Sequence, residues 1–223
     1  LWKDSNFVLG EPVSEIKYVC RNVDIIMARL IKNETVELFG KNATVPFING
    51  CDNSYHPCQI LADALTILEK FGTLDVNLMY IGAKNNVFNS HVEFFSKMKK
   101  GTLYGLTPLV NETACGPDFY EEAKKSGHYI ELDPSMSMEE AKEYANKMDV
   151  LYTDTWVDME FFNNPAYQKQ KEETLAKMMP YQLNGDFTKD SKAIVFHDMP
   201  MHVGFEISQD AVSYTHLTLP TIA

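Results

Sequence analysis

Short apolar runs alternate with segments of helical spacing along much of the chain. VDIIMARLI (23–31) and VPFING (45–50) are apolar runs that end at polar or glycine positions, as buried parallel strands do. A segment of helical spacing, NETVELFGKNA (33–43), lies between them. Because strands that alternate with helices form a mainly parallel sheet with helices on its faces, the predicted fold class is α/β.

The same alternation continues further along the chain. Helices are predicted at 59–71, closed by Gly72, and at 87–101, 116–127 and 137–148, where Ser137 and Glu140 form a capping pattern. Strands are predicted at 77–86, 101–108, 129–135, 149–156 and 193–200.

Charge and cysteine content argue against several kinds of partner. The formal charge of −11 disfavours polyanions such as nucleic acid. No apolar run approaches the length of about 18 residues that a membrane-spanning helix needs. The four cysteines form no CxxC pair and have no histidine at metal-ligand spacing, which favours free thiols and no metal site. We therefore expect a cytoplasmic protein that binds neither nucleic acid nor a membrane.

Polar clusters follow four of the predicted strands. They occupy positions 28–29, 82–86, 154–158 and 197–200. Ligands of parallel sheets bind beyond the carboxyl ends of the strands, so the four clusters predict a binding site at this edge. The segment YIGAKNN is not a dinucleotide-binding turn, because only Gly82 is present where that turn needs three glycines.

The segment NSYHPCQILADALTI (53–67) has two interpretations. It can be an ordinary helix start, with Ser54 as the cap and Pro57 in the first turn. Alternatively, His56 and Gln59 point from this helix start towards a ligand.

Four motifs, in order, resemble those of the aspartate/ornithine carbamoyltransferase family and of its ornithine branch in particular. HPCQILADALTI resembles the HPxQ signature with the interdomain helix, and YIGAKNNVFNS resembles the strand and Asn-Asn turn. DVLYTDTWVDM is similar to the DTWxSMG segment, and FHDMP stands where the family has HCLP. The similarity covers residues 6–212.

The resemblance implies two Rossmann-like domains with parallel sheets and flanking helices. Residues 1–70 would form an incomplete carbamoyl-phosphate-binding domain with the interdomain helix, and residues 73–212 the amino-acid (ornithine)-binding domain. The family's Ser-x-Arg-Thr loop does not occur in the sequence, and 213–223 lacks the composition of the family's closing helix. The resemblance thus predicts a fragment, inactive alone, with a non-native tail at 213–223. It also implies a homotrimer or higher homo-oligomer.

The reaction implied by the resemblance moves the carbamoyl group of carbamoyl phosphate to ornithine and needs no cofactor. By resemblance, His56 and Arg29 donate to the carbamoyl oxygen and Gln59 holds the carbamoyl amide. Asn86 and Asp154 match the positions that bind the amino-acid end, where Asp154 pairs with the ammonium. Donors that already point at the oxygen are what carbamoyl transfer requires, because negative charge develops there.

Departures from the family pattern leave the acceptor open. Met159 matches the methionine of SMG, but Asp158 replaces the serine before it. Asp198, flanked by Met199, replaces the thiol of HCLP. Since two unit charges about 6 Å apart interact by about 3 kcal/mol at a dielectric of about 20, the added carboxylates disfavour a substrate carboxylate. A diamine such as putrescine is therefore an alternative acceptor, and a non-catalytic binding or assembly subunit is an alternative function.

The HPxQ match predicts the effect of His56→Ala. In the complete protein this change should lower the rate of carbamoyl transfer by at least about 10²-fold, the scale for loss of one oxyanion donor. Steady-state assays of product formation measure it. A rate within a few-fold of wild type would leave His56 with only a role at the helix start.

Overall fold

The structure is a computed structural model that describes residues 10–157 and 162–214. The chain divides into two units, Leu1–Cys58 and Gln59–Ala223. Each unit has its own parallel sheet, so the predicted α/β class is confirmed. Residues 215–223 of the predicted non-native tail lie outside the described residues.

The first unit is a two-stranded parallel sheet with two helices. The elements are α1 (Pro12–Cys20), β1 (Ile26–Arg29), α2 (Asn33–Asn42) and β2 (Phe47–Cys51). Ile16, Cys20 and Phe39 form its small core. The predicted strand–helix–strand order is confirmed, although β1 occupies only four residues of the apolar run 23–31.

Helix α3 (Pro57–Phe71) begins at the end of the first unit. Pro57 is its first residue, where a missing N–H costs nothing. Ser54, the predicted cap, lies three residues before the helix, and its backbone N–H donates to Asp52 Oδ1 at 2.7 Å. The predicted end is confirmed, since Gly72 follows with φ +70°.

The second unit contains a five-stranded parallel sheet in the order β5-β4-β3-β6-β7. Its strands are β3 (Asn77–Lys84), β4 (Thr102–Val110), β5 (Tyr129–Glu131), β6 (Val150–Thr153) and β7 (Ile194–His197). Strands β4 and β5 follow on one side of β3, and β6 and β7 are then added on its other side. The strand order therefore reverses between β3 and β6, which is where such sheets bind ligands.

Helices connect these strands, and one further helix follows the last strand. They are α4 (Asn86–Met98), α5 (Pro117–Lys124), α6 (Met138–Ala145), α7 (Gln168–Met178), α8 (Gly185–Thr188) and α9 (Gln209–Tyr214). The predicted capping box at α6 is confirmed, with Ser137 and Glu140 bonded to each other's backbone N–H. Single 3₁₀ turns occupy Pro165–Tyr167 and Met179–Tyr181.

Both faces of the second sheet are buried. Along β3, Leu78 and Tyr80 pack into one core cluster, whereas Met79 and Ile81 pack into another. All four side chains are 0% exposed, which explains why this strand has a continuous apolar sequence rather than an alternating one. Within 10–157 and 162–214, no helix is long and apolar enough to cross a bilayer.

Two glycines with positive φ provide a matched test of backbone crowding. A Cβ at Gly101 (φ +66°) would lie against the Val76 backbone, 2.7 Å from its nitrogen, whereas a Cβ at Gly127 (φ +76°) would meet nothing within 4 Å. We expect Gly127→Ala to lower the free energy of unfolding by about 1–2 kcal/mol, the cost of the left-handed conformation. Gly101→Ala should lower it by about 3 kcal/mol or more, because the backbone must also move. Denaturant titration measures both, and equal losses would contradict the crowding at Gly101.

Candidate functional site

The reversal point of the second sheet brings together the turn after β3 and the end of β6. Asn85 lies between β3 and α4, and Asp154 directly follows β6. Asn85 Nδ2 donates to Asp154 Oδ2 at 2.7 Å, and both side chains are buried. A fixed carboxylate therefore lies at the position where a parallel sheet of this order binds its ligand.

Asn85 is also the cap of α4. Its Oδ1 accepts the backbone N–H of Phe88 at 2.9 Å and the hydroxyl of Tyr80 at 3.3 Å. The Asn85 amide thus accepts an N–H at the start of α4 and donates to a buried carboxylate. The sequence analysis assigned a role to Asn86 but not to Asn85, although the Asn-Asn turn contains both.

Asn86 is the first residue of α4 and is half-buried. Its Oδ1 accepts the N–H of Val87 at 3.1 Å, and its carbonyl oxygen accepts the hydroxyl of Ser90 at 2.8 Å. The predicted binding residue therefore lies at a helix N-terminus beside the reversal point.

The environment of Asp154 is nearly dry. Its side chain accepts the N–H of Thr155 at 2.7 Å in addition to the Asn85 amide. Burial raises the pKa of Asp154 to about 6, against the opposing effects of the His197 charge and of the two hydrogen bonds. Asp154 is consequently ionised at neutral pH, and a bound cation would favour the ionised form further.

The end of β7 adds a second buried pair. Thr153 pairs with His197 in the sheet register, so positions 154 and 198 follow adjacent strand ends. His197 Nε2 lies 3.1 Å from Glu206 Oε1, and both side chains are 1% exposed. The backbone N–H of His202 donates to the same Glu206 oxygen. Glu206 therefore contacts both ends of the loop 197–202, which carries Asp198.

Asp198 and Met199 are half-buried at this edge. Burial raises the pKa of Tyr80 well above its ordinary value, and the charges of Asp154 and Asp198 raise it further. The pKa of Tyr152 is raised in the same way, by burial first and then by carboxylates that include Asp198. Asp198 thus adds negative potential to the region occupied by Asp154.

Two predicted residues lie at the carboxyl edge of the first unit. Arg29 ends β1, is exposed and pairs in register with Cys51 at the end of β2. His56 is half-buried and follows a turn that the buried Asp52 organises. Asp52 Oδ1 accepts the N–H groups of Ser54 and Tyr55, each at 2.7 Å. The sequence analysis missed Asp52, whose role depends on this turn.

Gln59 lies in the first turn of α3. Its Nε2 donates to Oδ1 of Asp63, one helical turn further on, at 3.0 Å. Asp63 is buried and also lies 3.4 Å from Nε2 of the buried His91. Neither Asp63 nor His91 was a predicted site residue, although Asp63 lies inside the motif HPCQILADALTI and His91 directly follows YIGAKNNVFNS.

The structure groups the predicted residues at two sheet edges. The edge of the second unit holds Asn86, Asp154, Asp198 and Met199, and the edge of the first unit holds Arg29 and His56. The predicted binding residues Asp158 and Met159 lie outside the described residues. In the part of the chain that is described, no three His, Cys, Asp or Glu side chains are placed to hold a metal ion.

Two family models match the chain. Residues 74–219 match the Asp/Orn binding domain of aspartate/ornithine carbamoyltransferase. Residues 5–69 match the carbamoyl-P binding domain of the same family.

Curated relatives and solved structures agree with these matches. The ornithine carbamoyltransferases of Archaeoglobus fulgidus and Pyrococcus horikoshii are 31% and 34% identical over 96% and 91% of this chain. The solved ornithine carbamoyltransferase from Pyrococcus furiosus has a TM-score of 0.75 at 32% identity over 91% of this chain. The chain spans 67% and 62% of the two curated relatives and 63% of that structure.

The raised pKa of Asp154 predicts a pH dependence of stability. Between its ordinary pKa of 3.8 and the folded value of about 6, the folded state holds a proton that the unfolded chain has lost. The contribution of Asp154 to the free energy of unfolding is therefore fully present below pH 3.8 and is lost as pH rises through 6. The two pKa values correspond to a loss of about 3 kcal/mol.

Asp154→Asn should remove this contribution. Denaturant unfolding from pH 4 to 7 should show a smaller decline of the unfolding free energy in the variant than in wild type. The same decline in both proteins would show that Asp154 does not titrate in this range.

Proposed function

Because the chain belongs to the aspartate/ornithine carbamoyltransferase family, we propose that the complete protein carbamoylates the side-chain amine of ornithine. The products would be citrulline and phosphate. The observation that carries the proposal is the buried Asp154 carboxylate at the reversal point of the unit that matches the Asp/Orn binding domain. A fixed, desolvated carboxylate suits a ligand with a positively charged end.

Asp154 and Asn86 would bind the amino-acid end of the acceptor. Asp154 is held by Asn85 and Thr155 and is ionised at neutral pH, so it pairs with an ammonium group. Asn86 offers an amide at the adjacent helix start. A substrate held at its far end presents its other amine to the carbamoyl carbon, which supplies the orientation that the reaction needs.

Arg29, His56 and Gln59 would bind carbamoyl phosphate. The neutral amine attacks the carbonyl carbon, the new C–N bond forms, and negative charge collects on the carbonyl oxygen. Donors from Arg29 and His56 stabilise that charge. The C–O bond to phosphate then breaks, phosphate leaves with the electron pair, and the amine nitrogen loses its proton. The position of Arg29 and His56 at one sheet edge supports their shared role.

The proposed partners are these small molecules and further copies of the chain. A homotrimer is proposed from the family resemblance, together with a cytoplasmic location. The first unit exposes large apolar side chains, with Met27 71% and Ile31 81% exposed. Such a surface supports contact with further protein in the complete assembly.

Asp198 supports putrescine as the competing acceptor. Its charge adds to that of Asp154, and a diamine offers two cations and no carboxylate. We expect Asp198→Cys in the complete protein to shift the acceptor preference towards ornithine, by about tenfold in the ratio of specificity constants for a change of about 1.4 kcal/mol. Assays of citrulline and carbamoyl-putrescine formation over a range of pH measure the ratio.

The same assays test the proposed function. Wild type should form at least one of the two products, and formation of neither would contradict the transferase activity. A wild type that prefers putrescine would replace ornithine as the acceptor. An unchanged ratio in Asp198→Cys would show that Asp198 is neutral, turned away from the acceptor or paired with a cation.

A further inference from the structure

Within the second unit, a series of polar side chains connects the half-buried Gln59 to the buried Asp63 and His91. Gln59 Nε2 donates to Asp63 Oδ1 at 3.0 Å, and Asp63 Oδ2 lies 3.4 Å from His91 Nε2. His91 Nδ1 lies 2.9 Å from the carbonyl oxygen of Val87. Asp63 is 1% exposed and His91 is 0% exposed. Water therefore has little access to Asp63 and His91 and cannot readily replace the contacts that these side chains make.

The Asp63 carboxylate determines which end of the Gln59 amide faces it. Oδ1 of Asp63 can only accept at this contact, so the NH₂ group of Gln59 must point towards it. The carbonyl oxygen of Gln59 is consequently directed away from Asp63. That oxygen is an acceptor and suits a ligand that presents an N–H.

His91 keeps the acceptor in place. The Val87 carbonyl can only accept, so Nδ1 of His91 carries a hydrogen. Its Nε2 lies 3.4 Å from the second oxygen of Asp63, so the imidazole faces Oδ2 and not the oxygen that accepts from Gln59. The Tyr152 ring meets the imidazole edge-to-face at 4.4 Å between centroids, which fixes the ring. The imidazole and the Gln59 amide thus face different oxygens of Asp63, which leaves Oδ1 to accept from Gln59.

We propose that Asp63 and His91 are positioning residues that select the carbamoyl group of the donor. They hold the Gln59 amide with its oxygen outward, where it accepts a hydrogen bond from the carbamoyl NH₂. Acetyl phosphate has a methyl group at that position and cannot donate this bond. The inference rests on the proposed function and adds the origin of its selectivity for carbamoyl phosphate.

The test is Asp63→Asn in the complete protein. An asparagine presents either an oxygen or an NH₂ to Gln59, so the Gln59 amide is free to turn over. Calorimetric titrations with carbamoyl phosphate, acetyl phosphate and inorganic phosphate give three dissociation constants. We expect wild type to prefer carbamoyl phosphate, and Asp63→Asn to reduce that preference over acetyl phosphate by about tenfold, the scale of one hydrogen bond. The affinity for inorganic phosphate should be unchanged.

Two further variants separate orientation from stability. Gln59→Met removes the amide from a half-buried position and should reduce the preference as much as Asp63→Asn does. It keeps the test available if Asp63→Asn does not fold. Asp149→Asn is the matched control, because Asp149 accepts the N–H of Asn77 at 2.8 Å at the opposite, amino end of β3. It should lower stability without changing the preference.

Each outcome decides the inference. A reduced preference in Asp63→Asn and Gln59→Met, with Asp149→Asn like wild type, supports it. Equal weakening of all three ligands in Asp63→Asn, or an unchanged preference in Gln59→Met, overturns it while the proposed function stands. A wild type that binds carbamoyl phosphate no better than acetyl phosphate also overturns it. Absence of any carbamoyl phosphate binding by wild type overturns the proposed function as well.

Discussion

The desolvation of the Asp154 carboxylate constrains the rest of the second unit. A buried charge is tolerated only when nearby donors replace water, and here these donors are the Asn85 amide and the Thr155 N–H. Asn85 reaches Asp154 because α4 starts where β3 ends, and β3 lies beside β6. The parallel order of the sheet, the start of a helix and the charge of the candidate site therefore depend on one another.

The other buried carboxylates follow the same pattern. Within the described residues, the buried acids are Asp52, Asp63, Asp154 and Glu206, and no lysine or arginine is buried with them. Amides, backbone N–H groups and imidazoles are their partners instead. The two direct donors to Asp154, an amide and a backbone N–H, are neutral, so they fix the geometry of this carboxylate and leave it the negative potential that a cationic ligand needs.

Local pattern was enough to predict the sheets, but not the contacts that hold the candidate site. The apolar runs at β3, β6 and β7 predicted buried parallel strands, and the motifs placed Asn86 and Asp154 at one edge. Asn85 and Glu206 were missed because their roles depend on partners brought near by folding, such as Asp154, which is 69 positions from Asn85. Helix α7 was missed because QKQKEETLAKM is almost entirely polar and buries only Met178.

The several partners of Asn85 limit how this site can evolve. A single substitution at position 85 would remove the cap of α4, a partner of the Tyr80 hydroxyl and a donor to Asp154 together. A substitution of Asn85 that favoured a new acceptor would therefore lower the stability of the fold before it improved binding. Positions 86 and 198 lie at the same edge, and neither is the N-cap residue of α4. A lineage that adopts a new amine is therefore expected to vary these two positions while Asn85 is retained.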